Sequence, residues 1–102
     1  MAEAPPKLDP AALAHRVAAL PGWSVEREHL VRAFSFPDFA QALAFVNRVG
    51  AEAEAQWHHP DLTLGWGRVA VSLTTHESGG VTERDFRLAD AIDALARPAF
   101  EG

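Results

Sequence analysis

Apolar residues recur at steps of three or four in three stretches of the chain, which is the spacing of one face of an α-helix. The first stretch begins at Asp9-Pro10, an N-cap followed by a proline at the first helical position, and ends at Pro21-Gly22. The last begins after Thr82, which forms a capping-box pattern with Asp85, and Pro98 stops it. The core stripes that we expect in these two helices are Leu13, Val17 and Leu20, and Leu88, Ile92 and Leu95.

The central stretch is the clearest helix, and it begins at Pro37-Asp38. Pro60 disfavours helical geometry at the residue before it, so this helix is expected to run to about Trp57. We expect its core stripe to be formed by Phe39, Leu43, Val46, Gly50, Ala53 and Trp57.

Alternation of apolar and polar residues predicts strands in the two intervals between the helices. The first interval has a short strand at Trp23 and Val25, a turn near Arg27-Glu28, and a longer strand. The second interval reads as a hairpin with a compact turn at Gly65-Trp66-Gly67. Trp23 and Trp66 are expected in the core or in a pocket wall. The residues expected to face the core from the longer strands are Leu30, Phe34, Phe36, Leu62, Leu64, Trp66, Val69, Val71, Leu73 and Thr75.

The predicted element order is therefore α-β-β-α-β-β-α. Hairpins without parallel crossovers favour a two-layer α+β fold, in which three helices cover one face of a four-stranded antiparallel sheet. The other face of the sheet is then open or used for self-association. We divide the chain into a flexible tail, residues 1–7, and a single domain, residues 8–102.

Composition narrows the class of protein. The chain has 102 residues and is 48% hydrophobic, which suits one domain with a core. It has no cysteine, so disulfides and thiolate metal sites are excluded. No apolar run approaches the roughly 20 residues that cross a bilayer, and the N-terminus lacks signal-peptide features, so we expect a cytoplasmic protein without a membrane partner. A net charge of -5 without a basic cluster argues against direct nucleic-acid binding.

The segment QWHHPDLTLGW raises the question of chemistry, because it begins with two adjacent histidines. Glu54 and His58 are four residues apart at the end of a helix and should lie on one face. His58 and His59 then leave the C-terminus of the helix, where the dipole favours a protonated imidazole. Imidazole exchanges protons near neutral pH, so the pair suits general acid-base catalysis.

Further candidates come from the second hairpin and the last helix. His76 directly follows the strand VAVSLTT, and Asp85 lies at the start of the helix. If that strand packs beside the helix that carries Glu54, three histidines and two carboxylates converge. The alternatives stay open: a solvated Glu54, polar histidines at a helix end, a loop position for His76 and a capping role for Asp85.

A metal site is the rival interpretation, because three histidines and a carboxylate are ligands that zinc prefers. Adjacent histidines rarely ligate one ion together, since their side chains diverge, and no HExxH spacing is present. We therefore expect no metal. Nucleophilic catalysis has no candidate, because the chain lacks cysteine and no serine lies in an elbow motif.

The chain also resembles a known family. The segments that carry the resemblance are EAQWHHP at Glu54–Pro60, Trp66, TTHE at Thr74–Glu77 and GGVTERD at Gly79–Asp85. They fit a signature of an acidic residue, three residues, His-His-Pro, an aromatic residue six positions past the proline, and a histidine ten positions further. This signature is typical of the pterin-4a-carbinolamine dehydratases, which the chain resembles over roughly residues 20–96. Trp57 departs from the pattern, since many members have an acidic residue there.

The resemblance implies dehydration of a 4a-hydroxytetrahydropterin to quinonoid dihydropterin and water, in recycling of the tetrahydropterin, without a cofactor. His58, His59 and His76 are similar to the catalytic histidines of the family. Glu54 would orient His58 or contact the pterin, and Asp85 would fix a histidine tautomer. The remaining residues that the resemblance implies in substrate binding or orientation are Thr74, Thr75 and Pro60.

Two further expectations come from the same family. Its members form dimers and tetramers, so a homodimer or homotetramer is expected. Some members act as dimerisation partners of a transcription factor, and related domains serve as assembly factors. The alternative function is therefore a non-catalytic protein-interaction module on the same fold, and binding of a dihydropterin would separate the two.

Overall fold

The computed structural model describes residues 4–96, and it confirms the predicted element order and the four-stranded antiparallel sheet. Pro98, the expected end of the last helix, lies outside the described residues. The elements are α1 (Pro10–Ala18), β1 (Ser24–Glu26), β2 (His29–Ser35), α2 (Phe39–Gln56), β3 (Asp61–Gly65), β4 (Arg68–Leu73) and α3 (Glu83–Ala96), with a short 3-10 turn at His76–Ser78.

The sheet has the strand order β1-β2-β4-β3, and every neighbouring pair is antiparallel. Leu30 lies opposite Leu73 and Phe34 lies opposite Val69, so the apolar residues of β2 and β4 share one face. The turn between β1 and β2 consists of Arg27 and Glu28, with φ values of 49° and 66°. Positive φ at both turn residues is the geometry that two-residue hairpins favour.

Side-chain caps begin the first two helices, and the sequence predicts the cap at Asp9 and the start of the second helix at Pro37-Asp38. Asp9 accepts a hydrogen bond of 2.8 Å from the backbone N–H of Ala12, and Asp38 accepts one of 2.8 Å from Gln41. The segment before α1 contacts the connection that leads into α3, because the N–H of Leu8 donates to the carbonyl of Val81 at 3.0 Å. Among residues 4–96, no helix combines the length and the apolar character needed to cross a membrane.

The predicted core stripe of α2 is correct at Ala53 and partly correct at Val46, and its aromatic and leucine positions are wrong. Its buried residues are Ala42, Phe45, Val49 and Ala53. Phe39 is 44% exposed and Leu43 is 40% exposed, whereas Val46 is partly buried. The predicted row and the buried row are neighbours, about 100° apart around the helix, and both are apolar. The rings of Phe34 and Phe36 decide between them, because each packs against Phe45 at 5.0 Å between centroids.

Trp23 and Trp66 occupy different environments. Trp23 is buried, and its indole N–H donates to Asp93 at 3.0 Å. Trp66 is 71% exposed, so its expected place in the core is wrong. Gly65 still pairs with Arg68, and Trp66 therefore belongs to the two-residue turn that projects beyond the sheet.

The corrected face of α2 predicts unequal effects of two phenylalanine truncations. Phe45→Ala should lower the free energy of unfolding by about 3–5 kcal/mol, because it opens a cavity at a site with no solvent exposure. Phe39→Ala on the same helix should cost about 1 kcal/mol or less when both variants are compared at a concentration where the protein is monomeric. Urea denaturation of both variants measures the difference, and equal losses would contradict the assignment of the buried face.

Candidate active site

The C-terminus of α2 is closed by a left-handed residue, Trp57, with φ 54° and ψ 38°. The N–H of Trp57 donates to the carbonyl of Glu54 at 3.3 Å, and the N–H of His58 donates to that of Ala53 at 3.1 Å. These two bonds form a Schellman motif, which satisfies the last carbonyls of the helix and reverses the chain. The reversal turns His58 back toward the protein interior instead of continuing along the helix.

His58 is buried and contacts a fully buried carboxylate. It is 8% exposed, and its Nε2 lies 2.5 Å from Oδ1 of Asp85 in the first turn of α3. An ionised carboxylate only accepts hydrogen bonds, so Nε2 carries the hydrogen of this contact. In the neutral ring, Nδ1 is then the nitrogen that can accept a proton. The contact therefore fixes one tautomer of His58.

The second oxygen of Asp85 is held by two donors. The hydroxyl of Thr75 and the backbone N–H of Thr82 each donate to Oδ2 at 2.9 Å. Because the single hydroxyl hydrogen of Thr75 is used in this way, the hydroxyl of Thr82 must donate to Thr75, at 2.7 Å. The backbone N–H of Arg84 donates to the Thr82 hydroxyl at 3.2 Å. Every hydrogen bond in the network therefore has a fixed direction.

His59 forms a second imidazole-carboxylate pair at the surface. Its Nε2 is hydrogen-bonded to Oε2 of Glu54, and both side chains are exposed. The expected pairing of Glu54 with His58 on one helix face is thus corrected. The left-handed conformation of Trp57 ends the helical phase, so the residue five positions after Glu54 meets it. The two histidines consequently lie in different environments, one buried and one in solvent.

A pocket of about 220 Å³ joins the end of α2 to the turn after β4. It brings together His58, His59, His76 and Thr74, whereas Asp85 and Thr75 lie in the network that supports His58. Pro60 and Glu54 are not in its lining. The pocket residues that the sequence interpretation missed are Trp57, Glu77 and Arg84.

The missed residues carry only a weak sequence signal. Glu77 directly follows His76, and Arg84 directly precedes Asp85, so both are next to candidates. The guanidinium of Arg84 lies 3.5 Å from the carboxylate of Glu77, which places an ion pair in the pocket wall. The helical spacing predicts a core position for Trp57, and the change of backbone conformation removes the residue from that stripe.

A larger cavity, of about 440 Å³, lies beside Arg32 and Asp93. The charges of these two residues already neutralise each other at 2.9 Å, and the lining contains no histidine. Over residues 4–96, no group of three histidine, aspartate or glutamate side chains is arranged to hold a metal ion. The smaller pocket contains the groups suited to proton transfer, with three imidazoles at one place.

Comparison with known proteins gives a consistent assignment. Residues 6–95 match the family described as pterin 4 alpha carbinolamine dehydratase. A protein of Acidobacterium capsulatum with the provisional name pterin-4-alpha-carbinolamine dehydratase is 45% identical over 89 residues, which cover 87% of this chain and 97% of that protein.

Two solved structures are also similar. A transcriptional coactivator/pterin dehydratase from Brucella melitensis matches with a TM-score of 0.85 at 36% identity, covering 88% of this chain and 98% of that one. A pterin dehydratase-like protein, identified as a RuBisCO assembly factor in the alpha-carboxysome, matches with a TM-score of 0.62 at 26% identity, covering 74% of this chain and 87% of that one.

The buried network predicts a specific cost for loss of one hydroxyl group. Thr75→Val keeps the shape and β-branching of the side chain but leaves Asp85 without one donor, so the free energy of unfolding should fall by about 1–3 kcal/mol. Thr63→Val is the matched control, because Thr63 is exposed on β3 and should change stability by about 0.5 kcal/mol at most. Urea denaturation measures both variants, and an unchanged stability of Thr75→Val would show that the hydroxyl does not hold Asp85.

Proposed function

The chain belongs to the pterin 4 alpha carbinolamine dehydratase family, and from this premise we propose that it dehydrates a 4a-hydroxytetrahydropterin. In this reaction the bond between C4a and the hydroxyl oxygen breaks, and the oxygen leaves as water after it gains a proton. A ring nitrogen loses a proton, and the product is the quinonoid dihydropterin. The substrate equals product plus water, so no electrons are exchanged and no redox cofactor is needed.

The buried contact between His58 and Asp85 is the observation that carries this proposal. Nε2 of His58 is committed to Asp85, so Nδ1 is the nitrogen available to remove a proton from the pterin ring. The imidazolium formed by that transfer is stabilised by the adjacent carboxylate in a site that water enters little. We therefore assign His58 as the general base and Asp85 as the group that orients it.

The proton for the leaving hydroxyl comes from an exposed histidine of the same pocket. His59 and His76 both line the pocket and exchange protons readily with solvent. Glu54 orients His59 through its hydrogen bond to Nε2. The base is then a buried histidine and the acid an exposed one. Their different surroundings give chemically identical side chains two different roles.

The other candidate residues are assigned supporting roles. Thr74 lines the pocket, and its hydroxyl donates to the carbonyl of Glu28 at 2.8 Å, which fixes the wall at the end of β4. Thr75 acts through Asp85. Pro60, at the start of β3, restricts the backbone just after the histidine pair.

We further propose that residues 8–102 form one domain and that the chain works in the cytoplasm as a homodimer or homotetramer. The exposed side chains of Phe39 and Leu43 on α2 support self-association, since large apolar groups in one row of a helix often mark an interface. Light scattering tests this, and a mass equal to the 11.0 kDa monomer would contradict it.

A second function has support from the two similar solved structures. One names a transcriptional coactivator, and the other names a RuBisCO assembly factor. The competing proposal is a non-catalytic interaction module on this fold. The presence of all three histidines in one pocket favours catalysis, although it leaves room for a second role.

Removal of either paired histidine should abolish most of the dehydratase activity. His58→Gln keeps a donor for Asp85 but lacks the proton-accepting nitrogen, and His59→Ala removes an acid. Each should lower kcat by about 10²–10⁴-fold, the usual contribution of general acid-base catalysis. His15→Ala on the exposed face of α1 is the control and should retain full activity. Near wild-type turnover of 4a-hydroxytetrahydrobiopterin by both variants would contradict the proposed catalytic roles of the two histidines.

Ligand binding separates the enzyme from the interaction module. Calorimetry with 7,8-dihydrobiopterin should show binding to the wild-type protein, because the pocket must hold the pterin ring during catalysis. A protein that binds no dihydropterin and dehydrates no carbinolamine would support the module instead.

A further inference from the structure

Trp57 has a backbone conformation that its side chain disfavours. Among residues 4–96, three non-glycine residues have positive φ: Arg27, Glu28 and Trp57. Arg27 and Glu28 form the hairpin turn, which requires that geometry. Trp57 occupies the left-handed position of a Schellman motif, where glycine is usual and asparagine is the next choice. A bulky residue at such a position is a sign of strain or of function.

Burial does not explain the choice of tryptophan at this position. The residue is 83% exposed, so its indole gains little from the core. Its left-handed backbone is needed to turn His58 toward Asp85, but glycine or asparagine would provide the same turn without steric strain. Neither burial nor the backbone turn accounts for the indole, which leaves contact with a ligand or a partner as the reason for its presence.

The position of the indole points to the ligand of the adjacent pocket. Trp57 lines that pocket together with His58, His59, Thr74, His76, Glu77 and Arg84. The other six side chains are polar or ionisable, so Trp57 supplies the large apolar ring surface of the wall. The pocket volume of about 220 Å³ is also below the 300 Å³ or so at which small-molecule sites usually begin. A ligand therefore needs additional surface at the mouth, where the indole is exposed.

We propose that Trp57 is a substrate-binding residue whose indole stacks on the flat bicyclic ring of the pterin. This inference rests on the proposed function and names a substrate contact of the same pocket. Two planar aromatic systems prefer offset stacking, and the gain exceeds that of area burial alone. The contact holds the ring against the pocket in which His58 and His59 exchange protons with it.

Two substitutions at this position separate stacking from a structural role. Trp57→Asn removes the ring but suits the left-handed backbone, so its Tm should equal or exceed that of the wild type. Its KM for 4a-hydroxytetrahydrobiopterin and its Kd for 7,8-dihydrobiopterin should each rise about 3- to 10-fold, the range expected for loss of an aromatic stack. Its kcat should stay within about 2-fold, since the proton-transfer groups are unchanged. Trp57→Phe keeps a ring and should raise KM by less than Trp57→Asn.

Steady-state kinetics, calorimetry, thermal unfolding and light scattering on the full chain give the result. Unchanged KM and Kd in Trp57→Asn would overturn the stacking contact while leaving the proposed function intact. A lower Tm or a changed oligomeric mass in Trp57→Asn would assign the indole to the fold or to a subunit contact and would also overturn it. A wild-type protein that neither binds dihydrobiopterin nor dehydrates the carbinolamine would refute the proposed function, and the stacking contact with it.

Discussion

The hydrogen bond between His58 and Asp85 is the interaction on which the organisation of the site depends. It joins the end of α2 to the first turn of α3, at a point with almost no access to water. A buried carboxylate is costly unless its oxygens are satisfied, and here His58, Thr75 and Thr82 all donate to it. Thr75 lies two residues after the end of β4, so one carboxylate connects both helices to the segment that leaves the sheet.

The same interaction determines where a proton can be taken up. Because Asp85 holds Nε2 of His58, the other ring nitrogen is left as the acceptor, and the neighbouring threonine hydroxyls cannot reorient without breaking the network. His59 has its own carboxylate partner, Glu54, but that pair is exposed to solvent. A fold that places two adjacent histidines in such unequal environments gives them unequal chemistry without any difference in residue type.

Features encoded by neighbouring residues could be predicted from the sequence. The caps at Asp9 and Asp38 and the turn at Arg27-Glu28 depend on residues within one turn of each other. The buried face of α2 could not be predicted in this way, because the helix has two adjacent apolar rows. Aromatic rings on β2 and just beyond it, which are distant in the chain, decide which row is buried.

The residues of the candidate site show the same limit. The signature names His58, His59 and His76, yet spacing alone assigns Glu54 to the wrong histidine, because an ideal helix was assumed through Trp57. One left-handed residue changes the partner of Glu54 and moves an indole from the expected core to the mouth of a pocket. A conformation that costs steric energy is hard to infer from a sequence, since no favourable pattern marks it.

Nuclear magnetic resonance of the histidine rings tests the central claim most directly, namely that Asp85 fixes the tautomer of His58. Long-range nitrogen-hydrogen correlation spectra distinguish a protonated Nε2 from a protonated Nδ1 in each neutral ring. We expect His58 to show a single tautomer with hydrogen on Nε2, and to lose this preference in Asp85→Asn. A neutral His58 protonated on Nδ1, or a mixture of both tautomers in the wild-type protein, would contradict the account.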